Sequence, residues 1–114
     1  MSELINRWFS RAARIPGMLA CGLRYNDGIV FSRTWELHLP EPLLNDIWAR
    51  LAPMAKVASA ETPENMRWTF DKNIVVASAR ENGPTFFVLL SRKGEEPDAA
   101  SVERLLNEFR ALRG

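Results

Sequence analysis

One histidine, one cysteine and a few paired acids are all that this 114-residue chain offers to catalysis. His38 lies in Glu36-Leu37-His38-Leu39-Pro40, ahead of a helix entrance. With no second histidine, a transition-metal site there would need carboxylates at unsuitable spacing, so a surface or packing role is expected. Cys21 would be a nucleophile only beside a base that lowers its pKa, and its position in a strand-like apolar run points to burial. The acids Glu95-Glu96, and Glu61 with Glu64, fall in polar loops where solvated charge is the default. Gly17, Gly22 and Gly28 lack the spacing of a phosphate-binding loop, and Gly28 is better explained by a turn that needs positive φ. The expectation is therefore a chain without catalytic residues, cofactor or metal, which is not an enzyme.

Binding chemistry has more material. Arg7, Arg11 and Arg14 stand at helical offsets of four and seven, which would make either an anion-binding stripe or a solvated helix face; the second is expected, opposite an apolar stripe. Trp8, Trp35, Trp48 and Trp68 are not interleaved with basic residues as in a base-stacking platform, so packing explains them better. Fifteen basic residues against fourteen acidic ones leave a formal charge of +1, too weak a field to draw in nucleic acid. A lone cysteine forms no internal disulfide and fits a reducing, cytoplasmic setting. No basic-then-apolar leader opens the sequence and no apolar run approaches the ~20 residues of a membrane span, so neither secretion nor membrane insertion is expected.

The elements that would position these residues can be read from periodicity. Residues Leu4, Ile5, Trp8 and Phe9, with Ala12 beyond, recur at helical spacing, and Pro16 in Ile15-Pro16-Gly17 must end that helix. From Met18 the chain reads as a strand, turns at Asn26-Asp27-Gly28 and returns through Ile29, Val30 and Phe31. Pro40-Glu41-Pro42 admits a second helix with Leu43, Leu44, Ile47, Trp48, Leu51 and Ala55 on one stripe. At Pro53 it either kinks and continues to about Ser59 or ends at Ala52; the kink is favoured. Three strands follow. Met66, Trp68 and Phe70 alternate with polar residues, whereas Ile74 to Ala79 and Thr85 to Ser91 are apolar on both faces and need cover on both. Asp98 caps a last helix carrying Val102, Leu105, Leu106, Phe109 and Leu112. With 46% hydrophobic residues, residues 1–114 form one domain. The expected class is α+β: helix, two strands, helix, three strands, helix, folded as a three-layer α/β/α sandwich around one antiparallel five-stranded sheet.

In that arrangement the Met66 to Phe70 strand is outermost. An edge bearing Met66, Trp68 and Phe70 is an aggregation hazard in a monomer. Pairing with the same strand of a second copy would satisfy its backbone and give a two-fold homodimer. The second helix could instead cover these side chains within one chain; the dimer is favoured.

The ordered elements, and above all Ile15-Pro16-Gly17 followed by Asp27-Gly28, resemble the roadblock/LC7 domain family over nearly the whole chain, a profilin-like fold. Pro53 and the Trp35 to Pro40 connection depart from the family's pattern. The resemblance implies dimerisation through edge strands with the long helices side by side, which adds Trp48 to an interface of Met66, Trp68 and Phe70. It also implies a partner surface on the long helix around Asn45, Trp48, Ala49 and Ala52. The partner would be a Ras-like small GTPase that the chain regulates or scaffolds. The family offers no catalytic residue to transfer, and Arg50, on the same helix, is not expected to act as an arginine finger. The alternative is a small-ligand sensor of profilin-like or PAS-like shape, against which the bulky Phe31, Phe86, Phe87 and Phe109 argue by filling the core.

Overall fold

The computed structural model describes residues 3–35, 42, 44–51, 53, 65–80, 84–92 and 99–112. Helix α1 (Glu3–Arg11) leads into the hairpin β1 (Met18–Arg24) and β2 (Val30–Thr34). Residues 44–51 form α2, and strands β3 (Met66–Thr69), β4 (Asn73–Ala79) and β5 (Thr85–Ser91) precede α3 (Ala99–Ala111). All strand pairs are antiparallel, in the order β2-β1-β5-β4-β3. The fold is the α+β sandwich that the periodicities predict.

The turns follow from their residues. Met18 N–H donates to the Ile15 carbonyl at 2.9 Å, and Gly17 between them holds φ at +88°. Proline second and a positive-φ glycine third make the pattern of a type II turn. In the hairpin, Gly28 N–H donates to Tyr25 O and Tyr25 N–H to Ile29 O, with Gly28 at φ +95° and the Asp27 carboxylate accepting from Ile29 N–H. This three-residue loop needs its last residue in the left-handed region, which glycine reaches without a Cβ clash.

α1 ends at Arg11, earlier than the proline required. Its terminal carbonyls have found another donor: the Arg33 guanidinium on β2 donates to Phe9 O (2.8 Å) and Ala12 O (2.7 Å). Helix ends leave such carbonyls unpaired, and the chain is thereby free to turn and bury Ile15. Arg14 consequently lies beyond the helix rather than on a stripe with Arg7 and Arg11; its Nε–H donates to Met18 O, and with Arg33 it flanks the Trp35 ring. Arg80 does for α3 what Arg33 does for α1, donating to Phe109 O (2.6 Å) and to Leu112 O.

Side chains alternate across the sheet and build two cores. Ile5 and Phe9 of α1 and Val102, Leu105, Leu106 and Phe109 of α3 pack with Leu23, Phe86 and Val88 on one face. Trp8 joins them edge-on to Phe86, with ring centres 5.0 Å apart. Leu44, Trp48 and Leu51 of α2 cover Ala20, Val75, Ala77, Phe87 and Leu89 on the other. A bulge between Met18 and Ala20 lets Met18 and Cys21 share the α1/α3 face, since one extra residue resets the alternation. Pro53 has helical backbone, whereas Ala52, where the alternative ends the helix, lies outside the described residues. The carbonyl that proline leaves without a partner four residues earlier belongs to Ala49, which is exposed and can be hydrated. The expected continuation to Ser59 lies outside the described residues.

Candidate functional site

β3 is a terminal strand, paired only with β4 among the described strands. Phe70 N–H donates to Asn73 O at 2.8 Å, and the antiparallel alternation from that pair turns the N–H and C=O groups of Arg67 and Thr69 toward the open edge. Met66 and Trp68 are half-buried, and Trp68 packs on the α2-side core. Phe70 follows the strand and is 50% exposed. Arg67 and Thr69 point to the opposite face. The edge thus carries an aromatic side on the α2 face and a polar side on the α3 face.

α2 is seated by an indole. Trp48 has no exposed surface; its ring stacks on Phe87 with centres 5.2 Å apart and planes 15° apart. It lies directly over Gly22, where any Cβ would overlap the indole. Its Nε1–H donates to Ser32 Oγ (3.2 Å), and that hydroxyl donates to Asn45 Oδ1 (2.8 Å), so the buried polar atom is satisfied. Of the helix residues anticipated at a partner surface, Trp48 therefore offers no contact area of its own, in either role; it positions the helix. Asn45 is half-buried and already bonded to Ser32, Ala49 is exposed, and the side chain of Ala52 lies outside the described residues. Between them on the outer face, Arg50 and Asp46 form an exposed pair at 3.2 Å, one helical turn apart, which holds little energy but fixes neither charge away from a partner.

The groups singled out for catalysis are dispersed. Burial pushes the Cys21 thiol up to about 12, against a smaller lowering by the Arg33 charge, so at neutral pH it is a protonated apolar side chain. His38, Glu61, Glu64, Glu95 and Glu96 lie outside the described residues. Among those described, no cluster of three metal-ligating side chains occurs, and no helix is long and apolar enough to cross a membrane.

Sequence reasoning missed Gly22 as the notch for Trp48 and Arg33 and Arg80 as helix-end donors. A glycine among the apolar residues of β1 was the only trace of the first.

Neither a family model nor a curated protein sequence matches the chain. Solved structures do. A roadblock/LC7 domain from Streptomyces avermitilis superposes with a TM-score of 0.61 at 16% identity, covering 96% of this chain and 90% of that one. Myxococcus xanthus MglB gives 0.60 at 13% identity over 82% and 77%, and MglC from the same organism 0.50 at 16% over 82% of each. At such identities the likeness is one of fold: this chain has the roadblock/LC7 architecture that its turns and element order suggest.

Proposed function

We propose that the chain is a non-catalytic, homodimeric interaction module of the cytoplasm that regulates or scaffolds a Ras-like small GTPase. The observation that carries the reading is the β3 edge: a four-residue terminal strand with open backbone groups at Arg67 and Thr69, beside Met66, Trp68 and the exposed Phe70. Pairing of two such edges about an axis normal to the sheet joins the two five-stranded sheets into one, and it keeps both α2 helices on the same face, side by side. Burial of Phe70 and of the remaining Trp68 surface supplies the apolar gain. The partner surface then falls on the outward residues of the paired helices, with Ala49 and the Asp46–Arg50 pair outermost and Asn45 at their base. The GTPase follows from the family resemblance, and the buried, unpaired Cys21 suits a reducing compartment.

Sedimentation velocity at micromolar concentration tests the dimer: twice 13.0 kDa is expected, and a clean monomer refutes it. For the partner, immobilised protein is exposed to native cytoplasm, and any GTPase recovered is reloaded with GDP or a GTP analogue. Binding that differs between nucleotide states is expected; recovery of none, or equal binding in both states, counts against regulation of a GTPase.

A further inference from the structure

On the sheet face opposite α2, the α1/α3 layer stops short of the edge strand. Between α3 and β3 this leaves an open groove of about 500 Å³, in the size range of ligand sites. Ile74 and Val76 of β4 form its floor and Val102 of α3 its inner wall, all of them apolar core residues. Arg67 stands on the outer rim, because it pairs with Val76 across the ladder and its side chain leaves the sheet on this face. Arg92 closes the end near the β3–β4 turn, where one of its nitrogens is spent on the Phe70 carbonyl at 2.6 Å. Among the described residues, Glu103 of α3 is the one carboxylate of the lining.

Among the described lining residues, two guanidiniums stand against one carboxylate above an apolar floor, and this lining selects an occupant with complementary chemistry. Arg67 forms no ion pair among the described residues and presents a full fork of donors to a carboxylate. We infer that this groove docks an acidic, amphipathic peptide segment of a protein partner, with an aliphatic side chain on Ile74 and Val76 and a carboxylate on Arg67. A segment of this kind, lying beside an exposed strand, is a recurrent mode of peptide capture. The site belongs to one chain and lies on the face away from α2, so it stands apart from any surface on the helix pair.

The test uses fluorescence anisotropy with three labelled dodecapeptides: leucine alternating with glutamate, leucine with lysine, and serine with glutamate. The leucine–glutamate peptide is expected to bind, more weakly as salt is raised, and the other two are not. Arg67→Glu should weaken that peptide on the order of tenfold, as reversal of a charge facing a carboxylate does. Glu103→Arg, at an exposed position of α3, should tighten it about threefold. No binding of the leucine–glutamate peptide, equal binding of the serine–glutamate peptide, or an affinity unmoved by both substitutions overturns the inference. Sedimentation of the same samples separates these outcomes from any change in the dimer.

Discussion

At one edge of the sheet, β2 sends the Ser32 hydroxyl to Asn45 of α2 and the Arg33 guanidinium to the end of α1; at the other, β3 sends no side-chain hydrogen bond to a helix among the described residues. Both strands expose a row of backbone groups, the feature that invites association. β2 answers it with polar rungs, Ser32, Arg33 and Thr34, each committed to its own chain. β3 has Met66 and Trp68 on one side, with Phe70 exposed at its end. The difference teaches that the sheet is tied at β2 to its own helices, whereas at β3 no such tie occurs among the described residues.

The largest expected effect comes from spoiling the β3 edge. Trp68→Glu places a charge where the apolar side of β3 would be covered, and large aromatic residues at interface centres commonly account for 2 kcal/mol or more. The dimer dissociation constant should rise at least about thirtyfold, read as a monomer in sedimentation at concentrations where the unaltered protein is dimeric. Far-ultraviolet circular dichroism should be unchanged, because Trp68 is only half-buried within its own chain. An intact dimer would place the interface elsewhere.

Gly22→Ala attacks the β2 side from within. The added methyl collides with the Trp48 indole, and overpacking of this kind costs about 1–3 kcal/mol. Chemical denaturation should show it as a lower midpoint, and Gly22→Ala with Trp48→Phe should recover part of the loss, since the smaller ring relieves the contact. Additive losses would mean that the indole is not what the glycine makes room for.

These two sites also mark what a sequence discloses. The apolar run Phe86 to Leu90 announced a strand covered on both faces, and it is buried throughout. Val102, Leu105, Leu106 and Phe109 announced one face of α3, and all four are in the core. Met66, Trp68 and Phe70 announced one side of a strand because alternation is local; Trp68 is half-buried there and Phe70 exposed. The Gly22–Trp48 contact joins residues on different elements, and no period within either element encodes it. Nor does anything in Val30–Thr34 distinguish an arginine that faces solvent from one that reaches the carbonyls of a helix end. Leu4 shows the converse: helical spacing placed it on the buried stripe of α1, yet it is largely exposed, because the stripe that meets the sheet is narrower than the apolar stripe in the sequence. Trp48 lies buried on the face of α2 that its spacing indicates, but the depth of its seat over Gly22 was not readable from one element.

Arg33→Met keeps the length of the side chain on β2 while removing both bonds to α1. Hydrogen bonds from a charged donor are each worth about 1.5–3 kcal/mol when severed, and the partners here are carbonyls of a helix terminus that water can reach afterwards, so the low end applies. Hydrogen exchange should speed up in α1 and stay unchanged in β3 and β4. Loss of protection spread evenly over the sheet would show that the two edges are not independently secured.

The smallest effect is the most discriminating. Thr34→Glu puts on β2 the same charge that Trp68→Glu puts on β3, at an exposed position whose hydroxyl donates to Leu19 O over a long 3.4 Å. Surface substitutions of this type stay within about 0.5 kcal/mol, and the dimer should sediment as before. If Thr34→Glu dissociates the dimer while Trp68→Glu leaves it intact, the polar rungs of β2 are the interface and the open β3 edge is covered by other means. If neither matters, the two copies meet through helices and not through strands. Only dissociation by the β3 charge alone assigns the pairing to the edge that the described helices leave untied.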